Sequence, residues 1–228
     1  MGIQERKERE KELRREEIIR AATKVFFEKG LQNATMDEIA EAAELSKGTL
    51  YLYYKSKEDL YLAVMNVGFD ILHDMFDRAL ASSAPSIAKL RVMAAIYQEF
   101  FRTHRNYFRM FHFLQNPQLH KQVSEEMREI SRLHNQRVWD LAIGVLRRGV
   151  QEGTLRPDID PLHMAVILWN SINAILMQID YQLEHWRSTM GIDMEHVLRT
   201  SIRLTLESIV TDEARLELRK QFAADATA

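Results

Sequence analysis

The segment formed by residues 45–57 combines residue types that can contact a polyanion. It carries Lys47, Lys55 and Lys57 and no acidic residue, and tyrosines occupy positions 51, 53 and 54. Lysine ammonium groups pair with phosphates, and tyrosine and threonine hydroxyls can hydrogen-bond to phosphates or to base edges. Three aromatic residues within four positions of one short helix cannot all face a single core. The pattern therefore favours contact with DNA over the alternative, that these tyrosines only pack inside the protein.

The elements around this segment predict how it is presented. Two short helices are expected on either side of the turn Glu44-Leu45-Ser46. Thr35 and Glu38 have the spacing of a capping box at the start of the first helix, and Ser46 is a favourable N-cap for the second. This arrangement is a helix-turn-helix, whose second helix lies in the major groove of DNA. The predicted DNA-binding residues are Thr35, Ser46, Lys47, Gly48, Thr49, Tyr51, Tyr53, Tyr54 and Lys57.

The predicted roles within this site differ. Thr49 and Tyr51 are suited to base edges, and Gly48 permits a close approach of the helix to DNA. Leu50 is expected to face the core. Phosphate contacts are expected from Tyr53, Tyr54, Lys57 and the free amides at the helix start that follows Thr35.

These residues resemble the DNA-binding signature of the TetR family of bacterial transcriptional regulators. The resemblance rests on the run Ser46-Lys47-Gly48-Thr49-Leu50-Tyr51, the pair Tyr53-Tyr54 and the run Ser56-Lys57-Glu58-Asp59-Leu60, preceded by Thr35, Ile39 and Ala40. It covers about residues 15–65. Glu44 departs from the pattern, because the turn in this family often has glycine there. If the position needs a positive φ, glutamate carries a cost of about 1 kcal/mol.

The resemblance implies a dimer that binds a near-palindromic operator and holds a small effector in its C-terminal bundle. Effector binding would move the fourth helix and change the separation of the two recognition helices, whose half-sites lie about 34–36 Å apart. We therefore predict a ligand-responsive repressor that a small apolar or amphipathic effector releases from its operator. The alternative is an effector-independent structural or division-associated DNA-binding protein of the same fold.

The hydrophobic period is helical along the chain, and only 8 glycines and 4 prolines interrupt it. An all-α fold of about nine or ten helices is expected, with an N-terminal three-helix helix-turn-helix domain and a larger C-terminal helical bundle. The predicted DNA-binding domain is 1–60, including a charged arm at 1–14, and 61–228 is the predicted effector-binding and dimerisation domain. Gly30 is expected to end the first helix, and Asn116-Pro117 and Asp160-Pro161 to begin two later ones.

The composition argues against catalysis. There is no cysteine, and the net charge is −2, so the basic segment 45–57 is a local feature. The spacings typical of zinc hydrolases, serine hydrolases and phosphate-binding loops are also missing from the sequence. We expect no enzymatic activity, no cofactor and no metal.

Residues 161–179 form a 19-residue stretch without charge, close to the length of a membrane span. Its polar residues and the acids on either side favour a helix buried in protein, and with no export signal visible a cytoplasmic location is expected. A helix that is apolar on nearly every face must be covered on all sides, and a second subunit would supply the missing cover. The predicted dimer interface comprises Leu162, Ile167, Asn170, Asn173, Ala174, Val197, Ser201 and Leu204. Asn170 and Asn173 either hydrogen-bond across this interface or satisfy local backbone.

Aromatic residues are concentrated just after residue 99. They predict an apolar pocket suited to a flat aromatic or fatty-acyl ligand, since ligand pockets are mostly apolar with a few polar groups. The alternative is that the same side chains only fill the core. The candidate pocket residues are Phe100, Phe101, His104, Tyr107, Phe108, Phe111, Trp139, Trp169 and Met177.

Overall fold

The computed structural model describes residues 2–113, 119 and 122–225. Within these residues the chain forms ten helices, and its β-structure is one isolated bridge between Leu155 and Val210, which confirms the all-α prediction. The helices are α1 (Ile3–Asn33), α2 (Met36–Ala42), α3 (Lys47–Tyr53), α4 (Lys57–Leu80), α5 (Ser86–Thr103), α6 (Arg105–Phe113), α7 (Glu125–Gln151), α8 (Pro161–Met190), α9 (Met194–Ile209) and α10 (Asp212–Asp225). The predicted helix start at Asn116-Pro117 lies outside the described residues.

The charged arm is part of the first helix. α1 begins at Ile3, and ion pairs one turn apart line its exposed first half, among them Arg6–Glu10 at 2.9 Å. Opposite charges three or four residues apart support a helix whose own core contacts begin only later in the sequence. Gly30 has a φ of +69° as expected for a terminating glycine, although a last helical turn continues to Asn33.

Contacts divide the chain into two compact units. The first comprises Met1–Ile71 and His104–Gln136, and the second comprises Leu72–Thr103 and Arg137–Ala228. α4 and α7 are each divided between the two units, with one part in the first and one part in the second. The predicted assignment of DNA binding to 1–60 and of effector binding and dimerisation to 61–228 concerns activity and stays a prediction.

The core of the first unit is built from the four helices α1, α2, α3 and α4. Ile18, Ile39, Leu50 and Leu60 come one from each of these helices, and all four are fully buried. Burial of each such side chain contributes about 1.5–3 kcal/mol, which is enough to fix two helices as short as α2 and α3. The helix-turn-helix is therefore held by α1 and α4 rather than by its own length.

The second unit is built around α8. This helix packs along α9 and also contacts α5. Asp160 caps it as predicted, since the carboxylate accepts a hydrogen bond from the amide of His163 at 2.8 Å and Pro161 is the first helical residue. By length and hydropathy α8 could cross a membrane. Of its most apolar 18-residue stretch, 33% is buried within the chain.

Candidate nucleic-acid interface

The N-terminus of α2 carries the predicted capping box. The hydroxyl of Thr35 accepts a hydrogen bond from the amide of Glu38 at 3.2 Å, and the Glu38 carboxylate accepts one from the amide of Thr35 at 3.0 Å. Glu38 also bonds to the ammonium of Lys29 at 2.6 Å, and this hydrogen bond raises the pKa of Lys29 and lowers that of Glu38. The box occupies two of the amides that were expected to be free for phosphate, which leaves those of Met36 and Asp37.

The turn between the two helices has a left-handed residue. Glu44 has a φ of +55°, and it is the only non-glycine residue with a positive φ in the described part of the chain. Its amide donates to the carbonyl of Glu41 at 3.0 Å, and the amide of Leu45 donates to the carbonyl of Ala40 at 2.8 Å. These two bonds form a Schellman motif, which usually ends in glycine. Glu44 therefore adopts the geometry of the family's glycine and carries a steric cost of about 1–2 kcal/mol.

α3 begins at the predicted cap and exposes one face. The hydroxyl of Ser46 accepts a hydrogen bond from the amide of Thr49 at 3.0 Å and lies 2.8 Å from the Thr49 hydroxyl. Leu50 is fully buried as predicted, whereas Tyr51 is 44% exposed and Leu52 is 84% exposed. Sequence reasoning missed Leu52, although a leucine two residues from the core position Leu50 lies off the buried face of a short amphipathic helix and is a detectable exception to its pattern.

Gly48 lies on the exposed side of α3. A Cβ atom placed there would have Ser46 Oγ at 3.8 Å as its nearest neighbour, and its φ is not in the left-handed region. Neither packing nor backbone conformation of the protein therefore requires glycine. Glycine within a helix costs about 1 kcal/mol relative to alanine, so the stability of the protein does not account for glycine at this position.

The three lysines of the basic segment have different environments. Lys47 pairs with Asp37 at 2.9 Å, and Lys55 lies 3.8 Å from Glu126. Lys57 instead donates to the backbone carbonyl of Ala34 at 2.8 Å and to that of Gln32 at 3.5 Å. This ammonium holds the end of α1 to the start of α4. A phosphate bound by Lys57, as predicted, would therefore share the ammonium with two backbone carbonyls.

Tyr54 requires a correction. It was expected to contact phosphate, but as the C-cap of α3 it turns into the protein and is only 6% exposed. Burial raises the pKa of its hydroxyl to about 12. Core packing was therefore the right interpretation for this tyrosine, whereas Tyr53 is half-buried and Tyr51 is exposed.

The predicted pocket residues fall into both units. In the first unit, Tyr107 packs edge-on against Phe27 with ring centroids 5.0 Å apart, and Phe111 stacks on Phe69 at 4.2 Å. Phe108 is fully buried there and His104 is half-buried. These contacts support a filled core for the first-unit members of the set. The remaining candidates, all in the second unit, are Phe100, Phe101, Trp139, Trp169 and Met177.

Two of the second-unit candidates, Phe100 and Trp169, lie beside a tyrosine that sequence reasoning missed. Phe100 and Phe101 are buried, and Trp169 lies 5.6 Å from Trp139 between ring centroids. Tyr97 lies 4.7 Å from Trp169, and its hydroxyl donates to Asn173 Oδ1 at 2.7 Å. Burial raises the pKa of Tyr97 well above its usual value. The helical spacing of Tyr97 to Phe100 and Phe101 was the signal that would have added it.

The predicted interface residues lie mostly on one exposed face of α8 and α9. Leu162 and Ile167 are 54% and 50% exposed, Leu204 is 55% exposed, and Val166, which was not predicted, is 42% exposed. Asn170 and Ala174 are also exposed, and Val197 and Ser201 are half-buried.

The two asparagines of this set satisfy groups within the chain. The prediction that Asn173 lies in the dimer interface is wrong. This residue is 6% exposed and is hydrogen-bonded to Tyr97 within the core of its own unit. The Asn170 amide donates to the backbone carbonyl of Val166 at 2.9 Å, as the local alternative expected.

The family comparison agrees with the helix-turn-helix geometry. Residues 18–64 match the sequence model described as bacterial regulatory proteins, tetR family. The transcriptional repressor KstR2 of Rhodococcus jostii RHA1 is 30% identical over 147 residues, which are 64% of this chain and 70% of that protein. The chain belongs to the TetR family. It is a DNA-binding transcriptional regulator and not an enzyme.

Two solved structures of transcriptional regulators share the fold over more than four fifths of the chain. Bacillus subtilis FadR, in complex with stearoyl-CoA, has a TM-score of 0.63 at 19% identity and covers 83% of this chain and 96% of its own. The ketosteroid transcriptional regulator KstR2 of Mycobacterium tuberculosis has a TM-score of 0.59 at 21% identity, with 87% and 96% covered. At these identities the likeness establishes the fold alone.

Proposed function

We propose that this TetR-family regulator is a repressor that binds a near-palindromic operator as a homodimer and is released by an apolar or amphipathic effector. It would act in the cytoplasm. The observation that carries the proposal is the exposed face of α3, where Lys47, Gly48 and Tyr51 are all accessible. Gly48 supports it most directly, because no contact within the described part of the chain accounts for a glycine at that position.

The exposed face of α3 combines the chemistry that operator recognition needs. Tyr51 and Thr49 provide hydroxyl groups at the level of the bases, and the exposed side chain of Leu52 can pack against a thymine methyl group. Lys47 provides an ammonium for phosphate at the N-terminal end of the same helix. The same residue types on a major-groove helix give both affinity and sequence preference.

The exposed apolar face of α8 and α9 supports a homodimer. Leu162, Val166 and Ile167 on α8 and Leu204 on α9 are each between 42% and 55% exposed. Soluble monomers rarely leave large contiguous apolar patches in water. A second copy would cover this face and place a second recognition helix for the other half-site.

The aromatic cluster of the second unit supports an apolar effector. The ring centroid of Trp169 lies 4.7 Å from that of Tyr97 and 5.6 Å from that of Trp139. The polar group among them is the Tyr97–Asn173 hydrogen bond, and a few placed polar groups in an apolar surround are typical of ligand sites. FadR binds stearoyl-CoA and KstR2 is a ketosteroid regulator, so we propose an effector with a long acyl chain or a fused ring system.

Selection of bound sites from random DNA, followed by fluorescence anisotropy on the selected site, tests the proposal. We expect a palindromic consensus, and acyl-CoA thioesters or steroid derivatives should lower the affinity. Tyr51→Ala and Thr49→Ala should each cost about 1–3 kcal/mol on the operator and relax specificity. No enrichment of a consensus, or an unchanged affinity for Tyr51→Ala, would refute the role of α3. A reporter gene under the operator separates repression from activation.

A further inference from the structure

A cavity of about 300 Å³ lies in the second unit, apart from the aromatic cluster. It is formed by the C-terminal end of α4, the first turn of α5 and the middle of α7. Its volume is at the lower end of the range for ligand pockets, so it fits a molecule of few atoms and excludes a long acyl chain. Its polar lining residues are Asp77, Ser86, Lys89, Asp140 and Arg148.

Two polar side chains at this cavity are buried without a partner. Lys89 is 8% exposed, and within the described part of the chain its ammonium has no hydrogen bond and no carboxylate within ion-pair distance. Ser86 is completely buried, and its hydroxyl also has no hydrogen-bond partner. The stem of Lys89 is buried, while its unpartnered ammonium stays accessible from the cavity, where an anion can pair with it.

The start of α5 does not supply the anion site by itself. The Glu152 carboxylate already accepts a hydrogen bond from the amide of Ser86 at 3.1 Å. The polar groups of α5 that line the cavity are then the side chains of Lys89 and Ser86. Their positions three residues apart put both on the same face of α5, which is the spacing that lets two side chains converge on one group.

The exposed rim of the cavity restricts the charge of the ligand. Arg148 adds a second cation, whereas Asp77 and Asp140 are exposed carboxylates that form no ion pair among the described residues. Two carboxylates at the mouth repel a ligand of high negative charge. They leave room for a ligand with one oxyanion group at the floor of the cavity.

We propose that this cavity, which we call the Lys89 site, binds the single oxyanion group of a small metabolite. The Lys89 ammonium pairs with the anion and the Ser86 hydroxyl donates a hydrogen bond to it. The shared chemistry is that of a carboxylate or a phosphate. The site is separate from the proposed effector site, and its binding needs no DNA.

Titration of the full-length protein with acetate and, separately, with inorganic phosphate tests the Lys89 site. Backbone amide shifts in residues 86–90 are followed by NMR at constant ionic strength. We expect saturable shifts with at least one anion, and the anion that saturates identifies the group. Lys89→Met should weaken the apparent affinity at least tenfold, whereas Lys220→Met, which removes an exposed lysine of the same unit, should leave it within twofold.

Shifts that rise linearly without saturation for both anions, or an equal affinity in Lys89→Met, would overturn the assignment. If Lys89→Met does not fold, Ser86→Ala replaces it, because it removes the hydroxyl and leaves the cation in place. Ser86→Ala should weaken binding at least threefold. If the shifts of the wild-type protein saturate and Ser86→Ala binds the anion with unchanged affinity, the proposed site is equally excluded.

Discussion

The ammonium of Lys47 lies 2.9 Å from one carboxylate oxygen of Asp37 and 3.0 Å from the other. This pair joins the first residue of α3 to the first turn of α2, across the turn of the helix-turn-helix. The hydrogen bond to Asp37 raises the pKa of Lys47, so the lysine stays charged over the physiological range. Asp37 therefore orients the cation expected to meet a phosphate and also competes with that phosphate.

Replacing Asp37 by asparagine should strengthen DNA binding. The substitution releases Lys47 and removes a negative charge beside the DNA backbone, and we expect affinity to rise roughly threefold to tenfold at low salt on every sequence. Lys47→Met should weaken binding uniformly and reduce the slope of log K against log salt by about 0.9. Anisotropy titrations between low and moderate salt measure both. An Asp37→Asn protein with unchanged affinity and slope would show that Lys47 does not contact phosphate.

Replacing Gly48 by alanine should have opposite effects on stability and on function. The added methyl group meets only Ser46 Oγ at 3.8 Å, so the unfolding free energy should rise by about 0.5–1 kcal/mol. Operator affinity should fall, because the same methyl group occupies the space of the approaching DNA. Urea denaturation and anisotropy on one preparation compare the two.

Gly144 provides the matched control for this substitution. It lies within α7, and a Cβ there would have no neighbour within 4 Å. Gly144→Ala should raise the unfolding free energy by a similar amount and leave operator affinity unchanged. Equal effects of the two substitutions on DNA binding would contradict the close approach at Gly48.

A charge on the exposed face of α8 should dissociate the proposed dimer. Ile167→Asp would bury two like charges about the two-fold axis, and we expect dimerisation to weaken by more than tenfold. Sedimentation velocity over a concentration series measures the change. Leu216→Asp is the control, since Leu216 is 64% exposed on α10, outside the predicted interface. A dimer that tolerates Ile167→Asp as well as Leu216→Asp would place the interface elsewhere.

Alkaline pH should destabilise the first unit through Tyr54. Its pKa is raised from 10.0 to about 12 in the folded protein, so the unfolded chain loses this proton first. The stabilisation is complete below pH 10 and is lost as the pH rises towards 12, by about 2–3 kcal/mol in total. Tyr54→Phe should remove this part of the decline in urea unfolding between pH 9 and pH 11.5. Parallel declines in both proteins would mean that Tyr54 ionises freely in the native state.

The sequence predicted features whose signals are local. Thr35, Ser46 and Asp160 were recognised as helix caps because a cap depends on residue type and on an offset of three residues. The buried position of Leu50 follows from helical periodicity in the same way. The sequence shows that Glu44 stands where the family often has glycine. Only the φ of +55° in the structure shows that the turn keeps the left-handed geometry there.

The sequence did not predict features that depend on contacts between distant residues. Lys57 binds two carbonyls at the end of α1, 23 and 25 residues away, and Asn173 binds Tyr97, 76 residues away. No periodicity or motif encodes such a partner. Tyr54 was misassigned because its direction depends on the backbone at the end of α3, where an extended cap residue turns the side chain inward.

The two bonds of Lys57 also govern how the helix-turn-helix can move. Its ammonium ties the carbonyls of Gln32 and Ala34 to the first turn of α4, while the fully buried Leu50 and Leu60 pack α3 and α4 into the same core. A displacement of that first turn must therefore carry α1 and α3 with it or break both bonds. If DNA release displaces this turn, we expect the recognition helix to reorient together with its neighbours, without refolding of α3.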